Sequence, residues 1–278
     1  GSAALEGAVF EITNMSSESV MVDGKTYDPG QVVASLTTDK DGLAQTASDM
    51  LPFGLYKITE VSPPKGYLGE GVVERTFVVA QDGVITDMTG EDQAIYDQVI
   101  RGDFELTKID GNTQNAMAGI PFKITSSTTG ESHTITTDAN GFYSSASDWN
   151  PHSRNTNGGK AEDGLWFGLD GDGNLVEVND ALGALPFDTY CIEELRCEAN
   201  EDNALYTGTL VISRDGYTVN LGTIENDTIN TPEIYTSAQN GNNGTAYGTP
   251  GESAVIIDTV AYTGLMPGET YTLRGTLM

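Results

Sequence analysis

One order of strand and turn signals occurs twice along this chain, and this repetition limits the folds that the chain can adopt. Each copy has an alternating strand, then a Thr-Asp turn that ends in Gly, then an alternating segment that begins Leu-Pro-Phe and ends in Glu. These segments lie at residues 5–12, 37–42 and 51–60 in the first copy and at 118–124, 136–141 and 185–194 in the second. The repetition predicts two copies of one domain in tandem.

The composition and the turn signals predict an all-β protein. Hydrophobic residues make up 38% of the 278 residues, which is enough for packed cores. Short alternating runs broken by Asp-Gly, Asn-Gly and Pro favour strands with little helix. We therefore expect β-sandwiches at residues 1–101 and 102–231, with an insertion at about 148–184 in the second, and a partial third β domain at 232–278.

The charge balance excludes two classes of partner. Thirteen basic residues against 41 acidic ones give a formal net charge of −28, which argues against nucleic acid and against anionic membrane as partners. No stretch is long enough to cross a membrane, and no signal peptide is present. The opening Gly1-Ser2 is interpreted as a remnant of cloning, so the chain is expected to be a piece of a longer protein.

The segment at residues 104–110 places a lysine on an apolar face. Strand alternation puts Phe104, Leu106 and Lys108 on one side. Burial of an ammonium group is costly and lowers its pKa, so such a lysine is expected to be neutral or hydrogen-bonded. An edge strand from which Lys108 reaches water along its aliphatic stem is the alternative.

Two later strands each carry a polar group that could meet this lysine. Alternation places Glu194 on the inner face of the segment at 190–194 and Asn226 beside Ile224. A neutral Lys108 amine could attack the side-chain carbonyl of Asn226, while a protonated Glu194 polarises that carbonyl and transfers the proton as ammonia leaves. The expected product is a covalent cross-link between strands.

The motifs LxKxD, GxxFxI, TDxxG and LPxxxYxIxE, followed by a closing Asn or Asp, resemble the CnaB-type domains of Gram-positive pili and surface adhesins. These domains are also called SpaA-like, and the resemblance, which covers residues 5 to about 232, implies Ig-like/prealbumin-like β-sandwiches. In the second copy it implies Lys108 as the amine, Asn226 as the acyl partner and Glu194 as the catalytic acid.

For the first copy the resemblance implies Glu60 as the acid and Asp97 as the acyl partner. This copy has no lysine strand before Leu5, so its own bond cannot form within the chain as given. Glu60 and Asp97 are then two inward carboxylic acids, and at least one of them should remain protonated.

The third segment, residues 232–278, resembles the start of the surface-adhesin repeats that form a Thr–Gln ester cross-link, called VaFE or ester-bond domains. By position, Thr236 would be the nucleophile. The alternative is an ordinary strand threonine, because the chain stops before a closing strand that could supply the glutamine.

The remaining candidate sites are weaker. Cys191 and Cys197 leave a local disulfide open, and no pattern ties either cysteine to a histidine as a catalytic pair. The acidic run at residues 170–174 lacks the spacing of a calcium loop and is interpreted as a hairpin turn. No metal site and no cofactor are predicted.

Three classes of function remain. The leading hypothesis is a structural stalk segment of a cell-wall-anchored bacterial surface adhesin or pilin, outside the cell, with neighbouring domains of the same surface protein as partners. The alternative is an adhesin module that binds a host extracellular ligand through the insertion of the second copy. An enzyme with an external substrate ranks lowest, because the two signature glutamates lie in separate copies and face inward.

Overall fold

The computed structural model describes residues 4–69, 73–90, 94–170, 173–227, 233–247, 255–265 and 270–276. The chain divides into two compact units, one of Gly1–Glu201 with Leu205–Glu225 and the other of Asp202–Ala204 with Asn226–Met278. Strands dominate the described residues, beside two short 3₁₀ turns at His152–Arg154 and Glu198–Asn200. The prediction of an all-β fold is confirmed.

The structure describes eight strands in the first copy of the repeat, outside residues 1–3, 70–72 and 91–93. They are β1 (Val9–Asn14), β2 (Val20–Val22), β3 (Lys25–Tyr27), β4 (Val32–Thr37), β5 (Gly54–Ser62), β6 (Tyr67–Gly69), β7 (Glu74–Val79) and β8 (Asp97–Val99). Four of them form a sheet of order β4-β1-β5-β7, and the pairs β2–β3 and β6–β8 form separate ribbons. Alternation along β1 buries Phe10 and Ile12 on the inner face, where Tyr56 of β5 joins the core.

Among its described residues, the second copy has the next eight strands. They are β9 (Arg101–Asp110), β10 (Pro121–Ser126), β11 (Ser132–Thr136), β12 (Phe142–Ser144), β13 (Leu185–Pro186), β14 (Asp188–Glu194), β15 (Thr207–Ile212) and β16 (Thr218–Asn226). One sheet has the order β11-β10-β14-β15, and in the other β9 lies between β12 and β13 and also pairs with β16. A core that includes Phe104, Phe122 and Ile192 packs between them.

The two copies share one strand register. Phe10 of β1 lies opposite Glu60 of β5, and Phe122 of β10 lies opposite Glu194 of β14. A shift of one residue would turn every side chain to the other face, so this shared register places both glutamates at equivalent inward positions.

The turn after β4 also matches the turn after β11. Thr38 Oγ1 donates to the carbonyl oxygen of Leu5 at 2.6 Å, and Thr137 Oγ1 donates to that of Met117 at 2.8 Å. Each threonine hydroxyl also accepts a backbone N–H, which comes from Ala8 just before β1 in the first copy and from Ile120 just before β10 in the second. Leu5 and Met117 are therefore equivalent positions in the two copies.

A buried arginine holds the insertion against the second copy. Arg101 Nε donates to the carbonyl oxygen of Gly183, and Nη2 donates to those of Phe167 and Ala184, each at 2.7 Å. The guanidinium group also stacks on the ring of Trp166, with Cζ 3.6 Å from the ring centroid. The insertion is thus packed onto the sandwich.

The second unit contains a β-hairpin. Its strands β17 (Glu233–Asn240) and β18 (Ile256–Thr263) pair in antiparallel register, and most of their side chains are exposed. The boundaries at residues 101 and 231 that the sequence suggested stay predictions.

Candidate cross-linking sites

Lys108 is fully buried on β9. Its Nζ donates to the carbonyl oxygens of Ile109 at 2.7 Å and of Ile224 at 3.4 Å, and lies 3.5 Å from Met117 Sδ. Burial lowers the pKa of Lys108, and the negative charge of Glu194 opposes that effect in part. The amine is therefore closer to its neutral, nucleophilic form than a surface lysine is. The alternative in which Lys108 reaches water from an edge strand is wrong for this structure.

Glu194 ends β14 with its side chain inward and only 3% exposed. Its Oε1 accepts from Asn200 Nδ2 at 2.9 Å, and its Oε2 accepts from the backbone N–H of Tyr206 at 3.1 Å. Asn200 is itself buried, and its Oδ1 accepts from the backbone N–H of Cys197 at 2.7 Å. These contacts fix the direction in which the carboxyl group points.

Asn226 is the last residue of β16 and is 2% exposed. Its backbone carbonyl oxygen accepts from Asn203 Nδ2 at 3.4 Å. Because side chains on a strand alternate, Asn226 shares the inward face with Ile224, whose carbonyl oxygen accepts from Lys108. The strand that carries the expected acyl partner thus pairs with the strand that carries the amine.

In the first copy, two carboxyl groups lie together. Glu60 on β5 is 9% exposed, and Asp97 begins β8. Burial first, and then the charge of Asp97 and a hydrogen bond with it, raise the pKa of Glu60 to about 7. Near neutral pH the two groups therefore hold a proton that two isolated carboxyl groups would lose.

The other candidate residues are placed as follows. Thr236 lies on β17 opposite Val260 of β18 and is exposed. Cys191 and Cys197 are both half-buried free thiols, so the local disulfide left open by the sequence is not formed. At the start of the 3₁₀ turn Glu198–Asn200, the backbone N–H of Asn200 donates to the carbonyl oxygen of Cys197 at 3.3 Å.

Asn200 and Arg101 are buried polar residues that the sequence reasoning missed. Asn200 lies in a polar turn, where asparagine is common, and no pattern there points to the glutamate six residues earlier. Arg101 bonds residues more than sixty positions away. Neither contact leaves a local signal in the sequence.

Two family comparisons match separate parts of the chain. Residues 1–94 match the SpaA family, described as a prealbumin-like fold domain, and residues 232–278 match the TQ family, described as a T-Q ester bond containing domain. The recognition of a prealbumin-like domain and of an ester-bond segment is confirmed. Together these domains support a role as part of a surface pilin or adhesin.

A search of solved structures returned several matches at low identity. The Bacillus anthracis TIE protein matches with 17% identity and a TM-score of 0.47, over 94% of this chain and 40% of that one. A streptococcal ancillary pilin matches with 20% identity and a TM-score of 0.28, over 81% and 58%. GBS52, the minor pilin of Streptococcus agalactiae, matches with 17% identity and a TM-score of 0.31, over 83% and 87%. This chain thus spans 40% of the length of the TIE protein.

A comparison with curated protein sequences found no match. Within the residues that the structure describes, no helix has the length and apolar character needed to span a bilayer. The same residues contain no cluster of three or more His, Cys, Asp or Glu side chains that could hold a metal ion.

Proposed function

We propose that this chain is a stalk segment of a cell-wall-anchored bacterial surface adhesin or pilin, stiffened by an amide between Lys108 and Asn226. The observation that supports the proposal is the fully buried Lys108 amine, whose pKa is lowered by burial. This amine donates a hydrogen bond to the carbonyl oxygen of Ile224, on the strand that ends in Asn226. In this proposal the chain acts on no external substrate. Its partners are the neighbouring domains of the same surface protein, outside the cell.

The reaction uses groups that the chain itself supplies. The Lys108 amine attacks Cγ of Asn226, a new C–N bond forms, and the bond from Cγ to Nδ2 breaks. Glu194 acts as the acid of this step: it donates a hydrogen bond to the carbonyl oxygen of Asn226 and then passes protons from the attacking amine to the leaving nitrogen. One ammonia leaves, and no oxidant or other reactant is needed.

The cross-link would join the first strand of the second copy to its last. Tension along the chain would then pass through a covalent bond rather than through hydrogen bonds, which each contribute only about 1 kcal/mol net. By analogy with a disulfide that closes a loop of about 100 residues, the constraint on the unfolded chain would contribute roughly 4–5 kcal/mol. A module closed in this way extends little under load.

The intact mass of the denatured, reduced protein tests the proposal. We expect a mass lower than that of the sequence by one ammonia, and the full sequence mass in Lys108→Ala and in Glu194→Ala. Matched controls are Lys160→Ala, at an exposed lysine of the same copy, and Glu193→Ala, at the adjacent outward glutamate, and both should keep the deficit. A parent mass equal to that of the sequence refutes the cross-link.

One observation favours a second function, which is the binding of a host ligand by the insertion. The insertion packs Leu165, Trp166 and Phe167 inward but leaves Leu175 84% exposed and Val178 46% exposed. Exposed apolar side chains on a loop of a rigid scaffold are a common contact for partners. A chain in which Leu175 and Val178 are both replaced by Ser should lose binding to host extracellular matrix, while Leu205→Ser, outside the insertion, should not.

A further inference from the structure

The insertion of the second copy carries an asparagine followed by a glycine, Asn157 and Gly158, and both are exposed. An asparagine side chain in this sequence can react with the backbone of its own chain, because glycine has no side chain to keep its nitrogen away from the side-chain carbonyl carbon. The reaction needs an acid on the carbonyl oxygen and an acceptor for the proton of the attacking nitrogen. The surroundings of the pair therefore decide whether it reacts.

A histidine supplies the acid. His133 Nδ1 lies 2.5 Å from Asn157 Oδ1, and His133 Nε2 lies 2.7 Å from Glu131 Oε1. Because an oxygen faces each ring nitrogen, the imidazolium form of His133 donates to both. The ring is buried and packs edge-on against Phe167, with the ring centroids 4.6 Å apart. One ring N–H is thus held on the carbonyl oxygen of Asn157.

The carboxyl group behind this histidine is held in its ionised form. Burial alone would raise the pKa of Glu131, but hydrogen bonds from His133 and from two backbone N–H groups outweigh burial and lower it. The two N–H groups belong to Gly168 and Leu169, at 2.9 and 2.8 Å. The carboxylate of Glu131 therefore accepts the ring N–H of His133 that faces away from the asparagine.

A hydroxyl group receives the N–H of the attacking nitrogen. Gly158 N donates to Thr156 Oγ1 at 3.2 Å, and Thr156 Oγ1 donates to Asp163 Oδ2 at 2.9 Å. The hydroxyl can accept a proton from Gly158 as it passes its own to the carboxylate. A methyl group built on Gly158 would lie 2.9 Å from Thr156 Oγ1 and 3.2 Å from Asp163 Oδ2, so a larger residue would displace this relay.

We infer that the insertion is a self-modification site, at which Asn157 loses its side-chain amide through a succinimide formed with Gly158. His133 is the catalytic acid, and Thr156 is the catalytic proton carrier. The product is aspartate or isoaspartate at position 157. The reaction thus adds a carboxylate beside His133, in a segment of the second copy that is separate from the Lys108 site.

The reaction balances with water as its only co-reactant. The backbone nitrogen of Gly158 attacks Cγ of Asn157, and a C–N bond closes the ring. The proton of that nitrogen goes to the Thr156 hydroxyl, which passes its own to Asp163, while His133 donates to the carbonyl oxygen. The bond from Cγ to Nδ2 breaks, the proton is delivered to Nδ2, and ammonia leaves. One water then opens the ring at either carbonyl carbon, and no group is oxidised or reduced.

A second exposed pair of the same sequence, Asn140 with Gly141, provides an internal reference. The N–H of Gly141 donates to the backbone carbonyl oxygen of Asp138 at 3.0 Å. A carbonyl oxygen has no proton of its own to pass on, so this contact is not a relay. Asn140 Nδ2 donates to Asp138 Oδ2 at 3.4 Å. The two pairs therefore share a reactive sequence and differ in their hydrogen-bond partners.

The test follows deamidation of the full chain in water labelled with heavy oxygen, by digestion and mass spectrometry of the peptides that contain each asparagine. We expect label to enter at Asn157 at least about tenfold faster than at Asn140. Thr156→Val keeps the shape of the side chain and removes the hydroxyl, and it should lower the rate at Asn157 to near that at Asn140. Thr156→Ser should keep the rate of the parent, and His133→Gln should lower it.

The rate at Asn140 should be the same in the parent and in every variant, which shows that the second copy stays folded. Lys108→Ala should leave the rate at Asn157 unchanged, so this test does not depend on the proposed cross-link. Equal rates at Asn157 and Asn140 in the parent overturn the inference. A parent rate at Asn157 that persists in Thr156→Val also overturns it.

Discussion

The carboxyl pair of the first copy should make the stability of that copy depend on pH. Burial and the neighbouring Asp97 stabilise the protonated form of Glu60, and they raise its pKa from 4.5 to about 7. Between these two values the folded chain binds more protons than the unfolded chain does, so stability falls as pH increases. The contribution is fully present below about pH 4.5 and is lost above about pH 7.

The size of the effect follows from the shift in pKa. One pKa unit corresponds to about 1.36 kcal/mol, so the upper limit for Glu60 is about 3 kcal/mol. The carboxyl group lies at the wall of an open cavity, where water screens its charge, so the measured change should be smaller. Replacing Glu60 by Gln keeps the shape and removes the titrating proton. Glu60→Gln should therefore match the parent at low pH and exceed its stability above neutral pH.

Hydrogen–deuterium exchange of peptides that cover β1 and β5 measures this effect within the first copy. After correction for the intrinsic pH dependence of exchange, protection in the parent should fall between about pH 4.5 and pH 7, and Glu60→Gln should remove most of that fall. Glu11→Gln, on the outward face of β1, should behave as the parent does. Equal pH slopes in the parent and in Glu60→Gln would refute the reasoning.

Three further predictions concern the second copy. Arg101→Lys should detach part of the insertion at a cost of about 3 kcal/mol, because an ammonium cannot reproduce the planar guanidinium geometry that reaches three carbonyls and stacks on Trp166. A red shift of Trp166 fluorescence would report it. In thermal melts, Gly141→Ala should destabilise this copy far more than Gly130→Ala does. Both glycines have positive φ, but only at Gly141 would an added methyl group clash with the carbonyl oxygen of Lys108. The control, Gly130→Ala, should cost about 1–2 kcal/mol. When the chain is pulled from its two ends in single-molecule force spectroscopy, the segment between Lys108 and Asn226 should not extend. An extension step that corresponds to the length of that segment would contradict the cross-link.

Strand alternation gave the inward position of Lys108 correctly, because the side-chain period of a strand is fixed by the backbone. The same rule placed Glu60 and Glu194 on inner faces, and the repeated motifs predicted that they would be equivalent. These are local properties, and a short stretch of sequence determines them.

What the sequence could not give depends on contacts between distant residues. The sequence pattern places Arg101 only at the end of the first domain, yet its guanidinium bonds three carbonyls at residues 167, 183 and 184. Asn200 orients Glu194 from a turn whose sequence resembles many exposed turns. That Cys191 and Cys197 are free thiols depends on the conformation of the chain after β14, which local spacing does not determine.

The two copies use one backbone register for two different sets of inward groups. In the second copy Lys108 and Glu194 share the core, where burial lowers the pKa of the lysine. In the first copy Glu60 and Asp97 share the site, and burial together with their proximity favours the retention of a proton. One register therefore places a buried lysine beside an acid in one copy and a pH-dependent pair of acids in the other.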